Sequence, residues 1–321
     1  MTTMPRLFAA AAAMVTIATC QAHAQSFPSQ PVRVVVPFPA GGGTDILMRL
    51  IQDKYSARLG QPVVIDNRPG ASGNIGSGVV AKSNPDGYNL IMQGTIVGIY
   101  PRVFASLPYD PLKDFAYIGG VAESPAVVVV NANSKLNTIG DLISEGKNRP
   151  LNFASAGVGA PQHLATERLA RINKTQLTHV PYKGSATAVS DLLAGILDFA
   201  SLSLSSVLPL IQEGKLRALA VASDNRSKLL PNVPTIKEAG FGDVSGTIRF
   251  FLAAPANTPQ AAIDKLSQDL AAVVSDPEIQ EGFAKRGYET VIAKPDEVLA
   301  MVRQQGEVWA AIIEELKLKF D

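Results

Sequence analysis

Cysteine is nearly absent from this chain of 321 residues: there is one, Cys20, in an N-terminal leader. A disulfide framework and a cysteine metal site are thereby excluded, so the fold must rest on an apolar core, which this length can supply. Histidine is almost as scarce. His23 lies in the leader, which leaves His163 and His179. No H-E-x-x-H helix, acidic metal loop or G-x-S-x-G turn occurs. Neither charge sign dominates, with 29 Lys and Arg against 28 Asp and Glu spread evenly, and nucleic acid is a poor partner for such a surface. Beyond the leader, no apolar run reaches the roughly 20 residues that cross a bilayer. The expectation is no catalytic residue, no metal and no cofactor.

What is present begins with the leader. Arg6 precedes an apolar run through Ala18, and Ala22-His23-Ala24 places small residues where a signal peptidase reads. Thr19 is bulky for the position before a lipidated cysteine, so cleavage after Ala24 is expected. Residues 1–24 are then a signal peptide, and the cysteine-free mature chain is periplasmic.

Short β-branched runs then alternate with helical patterns. Val32–Val36, Val63–Ile65, Asn89–Met92, Leu151–Ala154, Leu177–Val180 and Leu216–Ala222 read as strands. Asp45–Leu59, Ile75–Lys82, Pro161–Ile172, Ser185–Ala194, Gln260–Val274, Pro277–Arg286 and Pro295–Lys317 read as helices. This alternation predicts an α/β protein of mostly parallel sheets flanked by helices. Ala126–Val130 and Thr247–Ala254 are taken as two crossover strands between lobes. Lobe one is then 25–124 plus 255–321, and lobe two is 125–254 with the crossovers.

The sharpest local feature is Pro37-Phe38-Pro39-Ala40-Gly41-Gly42-Gly43-Thr44-Asp45, between the first strand and the first helix. Ligands of open α/β sheets bind at such strand ends, glycines admit close approach, and the first helical N–H groups attract anions. Thr44 or Asp45 can cap the helix. No Lys-Ser/Thr follows the glycines and the spacing is not G-x-G-x-x-G, so a nucleotide fits poorly. Lobe two repeats the device at Ser155-Ala156-Gly157-Val158-Gly159-Ala160-Pro161 and at His179–Ser185. For His163, a cap or packing role competes with a ligand role, and for Lys183 a solvated lysine competes with an anion partner. A cleft that grips a small anion from both lobes is the expectation.

These segments resemble the tripartite tricarboxylate transporter substrate-binding, or Bug receptor, family. The resemblance is carried by Val34–Asp45, Asp66–Ala71 with Gly73–Gly76, Pro85–Tyr88, Leu107–Asp110, His179–Gly184, Gly214–Ala220, Pro231–Thr235, Glu238–Gly240 and Ala254–Pro259, in order along nearly the whole mature chain. It implies a two-lobed periplasmic-binding-protein fold, type II-like, and a receptor that delivers a small organic carboxylate to a tripartite membrane transporter. The alternative is a receptor for a two-component sensor. A monomer is expected. By resemblance, ligand contacts fall on Phe38, on Ala40 through Asp45, on Ser155 through Gly159, and on His163, Lys183 and Asp198. Gly94 and Thr95 join them, from a segment where relatives are more polar. Arg249 stands where relatives often carry an aromatic residue. A guanidinium there suggests a two-point contact to a second carboxylate, competing with a solvated outer position.

Overall fold

The computed structural model describes residues 27–182 and 184–317; the expected leader and Lys183 lie outside the described residues. The first pass through lobe one gives β1 (Val32–Val36), α1 (Gly43–Leu59), β2 (Val63–Asn67), α2 (Asn74–Ala81), β3 (Asn89–Gly94), α3 (Tyr100–Val103) and β4 (Phe115–Ser124). Lobe two follows with β5 (Ala126–Asn131), α4 (Ile139–Asn148), β6 (Leu151–Ser155), α5 (Pro161–Asn173), β7 (Leu177–Pro181), α6 (Ser185–Leu193), β8 (Phe199–Ser203), α7 (Leu204–Gln212) and β9 (Leu216–Ala222). The chain returns through β10 (Ile248–Pro255), α8 (Gln260–Val274), α9 (Pro277–Ala284), β11 (Glu289–Thr290) and α10 (Pro295–Leu316).

Local chemistry explains several boundaries. α1 ends at Gly60, whose φ of 68° suits the left-handed cap. α4 opens on a reciprocal capping box between Thr138 and Asp141. α5, α9 and α10 each begin with proline, whose missing N–H costs nothing in the first turn.

Two mixed sheets form. The first has the order β11-β4-β10-β3-β1-β2 and the second β7-β6-β8-β5-β9. In the first, β1 to β4 run one way and β10 and β11 the other. In the second, only β5 opposes the rest. Each lobe is thus mostly co-directional, with a long reversed strand at its heart, and that strand is the one arriving from the other lobe.

This moves the crossings from where they were expected. Ala126–Val130 lies wholly in β5, between β8 and β9, and the passage falls one step earlier at Pro125. Ile248–Ala254 lies in β10, paired with β3 and β4, so these residues belong to the lobe-one sheet and not to lobe two. The return passage is the stretch 223–247 before it. A long apolar run signals burial on both faces, and a central strand meets that demand as well as a crossover does.

α10 also links the lobes, packing on the short turn Thr95–Ile99 of lobe one and on α5 of lobe two. The approach is backbone to backbone: a Cβ on Gly306 would lie 2.6 Å from the Gly98 carbonyl oxygen. Trp309 is buried on this helix, the packing role its apolar surroundings suggest.

Candidate functional site

The carboxyl ends of β1, β6 and β8 converge between the lobes, and each hands the chain to a helix. α1 starts at Gly43, α5 at Pro161 and α7 at Leu204. Three contacts bring these starts together. A Cβ on Gly43 would stand 3.5 Å from Ser205 Oγ in the first turn of α7. Gln162 Nε2 in the first turn of α5 donates at 2.8 Å to Oγ of Ser203, which stands at the N-cap position of α7. A Cβ on Gly157 would meet Ser72 Oγ of lobe one at 3.9 Å. Helix N-termini from both lobes therefore meet where the lobes face each other, and their partial positive charges add there.

The lobe-one loop is locked by Asp45, which is 1 % exposed. Its Oδ2 accepts from the Gly41 N–H at 2.9 Å and from Arg49 Nε at 2.8 Å, while Oδ1 accepts from Asn67 Nδ2 at 3.0 Å. Burial pushes this carboxyl up, but hydrogen bonds from Arg49, Gly41 and Asn67 outweigh it and hold its pKa below the usual value. Asp45 thus spends three acceptor sites on the protein and shapes the loop. Asn67 also donates to the Phe38 carbonyl at 3.1 Å. Gly41, at φ 79°, makes the turn that brings its N–H back to Asp45. Pro39 takes the Gly42 N–H, and Ile46 is the first to return an N–H to Gly42. The N–H groups of Gly43, Thr44 and Asp45 between them have no acceptor among the described residues.

The lobe-two loop is locked by imidazoles. His179 Nε2 and Ser155 Oγ are 2.7 Å apart, and Ser155 also donates to the Gly157 carbonyl at 3.0 Å. The Gly159 N–H donates to His163 Nδ1 at 3.1 Å, and the two imidazoles stack at 3.8 Å between centroids, with Phe153 beside them. Burial, aided by His163, depresses the His179 pKa to about 3.

The other expected contacts divide. Ala40 and Gly41 are exposed at the loop tip, and Ala156 and Gly157 line the opposing turn. Gly94 is packed under Ile248, and Thr95 is buried with its hydroxyl 2.5 Å from Gln305 Oε1 of α10. Asp198 is not in the cleft. It precedes β8, at the opposite end of the sheet, where it pairs with Arg149 at 2.8 Å and accepts the Asn152 N–H at 2.7 Å. Arg249 pairs across the strands with Glu123 at 2.9 Å, so its guanidinium already has a carboxylate partner. Lys183 lies outside the described residues.

Sequence reasoning missed Gln162, Ser203, Ser205 and Tyr288. Tyr288 is buried and donates to the Gly43 carbonyl at 2.6 Å from 245 residues away, which no local pattern can announce. Ser124 Oγ donates to the Gly287 carbonyl at 3.2 Å and lies 3.3 Å from Ser205 Oγ, tying the same corner together. The serines of β8 and α7 alternate in Ser201-Leu202-Ser203-Leu204-Ser205, a strand signal that was available.

A two-lobed α/β fold with facing helix N-termini defines the class of periplasmic binding proteins. Within it, residues 47–318 match the tripartite tricarboxylate transporter family receptor model. The chain belongs to that family. It is similar to the protein BugT of Bordetella pertussis (strain Tohama I), 35% identical over 98% of this chain and 99% of that one. Among solved structures it resembles R. palustris Rpa4515 with adipate, at 32% identity and TM-score 0.88, covering 92% of this chain and 100% of that one. It also resembles MatC from Rhodopseudomonas palustris with bound malate, at 29% identity and TM-score 0.82, covering 89% and 100%.

Proposed function

We propose that this chain is a periplasmic receptor that closes on a small organic carboxylate and delivers it to the membrane subunits of a tripartite tricarboxylate-type transporter. The observation that carries this reading is the meeting of the α1, α5 and α7 N-termini in one inter-lobe cleft, with N–H groups of the α1 turn unused. A carboxylate accepts such donors without needing a cation. Adipate and malate, bound to Rpa4515 and MatC, are both dicarboxylates and support the ligand class. The family match and the acids bound to these neighbours support binding as the role.

A thermal-shift screen over mono-, di- and tricarboxylates and aromatic acids tests the ligand class. A binder at a hundredfold excess over Kd stabilises the native state by about 2.7 kcal/mol. Gly43→Ala sharpens the test, because its Cβ would sit 3.0 Å from Tyr288 Oη and 3.5 Å from Ser205 Oγ, where the lobes meet. We expect it to weaken the best acid about tenfold, or about 1.4 kcal/mol. Full affinity in a folded variant would remove the α1 turn from the site.

A further inference from the structure

Gln162 is fully buried, yet its Oε1 has no hydrogen-bond partner, while its Nε2 donates to Ser203 Oγ at 2.8 Å. A buried amide oxygen left bare is costly, so the position invites a partner. It lies at the corner between the lobes, since Ser203 stands at the N-cap position of α7 and Ser205, two residues on, approaches Gly43 of lobe one. Ser203 keeps a small exposure of 8%. Ser201, two residues earlier on the same face of β8, has a second buried hydroxyl without a partner.

The pair offers Ser203 O–H as a donor and Gln162 Oε1 as an acceptor. A ligand carboxylate, which only accepts, satisfies the first and leaves the second bare. A methylene satisfies neither. A hydroxyl satisfies both, because it donates and accepts. With the amide turned over, Ser203 donates to Oε1 and the free Nε2 hydrogens face the same spot. A hydroxyl or a carboxylate oxygen then accepts them, and a methylene still leaves them bare. We propose that Gln162 and Ser203 form a selectivity pair that makes this receptor prefer a hydroxyl-bearing carboxylate over its deoxy counterpart. The inference rests on the carboxylate reading above and narrows it. A site built to hydrogen-bond a ligand hydroxyl rejects the analogue lacking it, because its own buried groups are then left bare.

Titration calorimetry on matched acids tests the pair: malate with succinate, citrate with tricarballylate, 3-hydroxybutyrate with butyrate, and mandelate with phenylacetate. In the wild-type protein we expect the hydroxy acid to bind about tenfold tighter in the pair that fits the cleft. Gln162→Met and Ser203→Ala should each collapse that gap. Should Gln162→Met lose its circular dichroism, Ser203→Ala decides. Equal or tighter binding of the deoxy acid in every pair overturns the proposal, and is the result if the bare amide serves only a buried water. A hydroxyl preference that survives both substitutions overturns it as well. Failure of every acid to bind is a different result, which removes the carboxylate reading and this inference with it.

Discussion

In lobe one the turn after β1 is held by a carboxylate; in lobe two the turn after β6 is held by imidazoles. Asp45 gathers an N–H, a guanidinium and an amide around two oxygens. Ser155, His179 and His163 reach the same end with a hydroxyl and two stacked rings. Each turn hands the chain from a strand end to a helix start, α1 at Gly43 and α5 at Pro161. The difference teaches that a glycine turn at a strand end can be held by either kind of lock. It also means that the two halves of the cleft fail under different insults.

The largest expected effect follows from removing the charged lock. Asp45→Ala deletes three hydrogen bonds to an ionised group and should cost about 2–3 kcal/mol in urea unfolding, with loss of acid binding. Ser155→Ala removes a neutral partner from lobe two and should cost about 1 kcal/mol. Equal losses would erase the contrast between the two turns.

Acidification separates them next. The folded pKa of His179, about 3, lies below its unfolded value of 6.5. The unfolded chain therefore takes up a proton that the native chain refuses, so stability is full above pH 6.5 and declines below it. The slope reaches at most about 1.4 kcal/mol per pH unit. The Asp45 pKa lies below its ordinary 3.8, so its contribution is held above that pH and is lost only as pH falls through the depressed value. Urea titrations at pH 7 and pH 5 should show a loss that His179→Gln abolishes and Asp45→Asn does not. A loss unchanged in His179→Gln would assign the acid sensitivity elsewhere.

The smallest effect concerns Arg249. Its guanidinium is partly exposed and paired with Glu123, which burial holds above its usual pKa against the pull of Arg249. Arg249→Ala should weaken a dicarboxylate and its matched monocarboxylate by the same factor, less than about fivefold, as expected for a partly screened pair. A selective loss for the dicarboxylate would place the guanidinium on the ligand.

Much of the fold was legible because burial imposes period. Val32–Val36 and Gln260–Val274 were read in full, since one is continuously β-branched and the other carries apolar residues at helical spacing. β8 and α7 were passed over. Serines dilute the apolar pattern of Phe199–Ser203, and Pro209 lies inside the helix that follows. Their omission hid Ser203 and Ser205, half of the corner where the lobes meet. Asp198 was misplaced for a related reason: similarity along the chain does not say to which end of a strand a residue falls.

The sequence by itself determined the alternation of strands and helices, the two glycine turns and the family. Each rests on neighbours within a few residues, where propensity and spacing act directly. Only the tertiary structure decided that Asp45 serves its own loop, that Arg249 is already paired, and that β5 and β10 lie inside the sheets. It also brought Gln162 to Ser203 and Tyr288 to Gly43. Those contacts join residues far apart in the chain, and only the folded packing of the two lobes brings them within hydrogen-bonding distance.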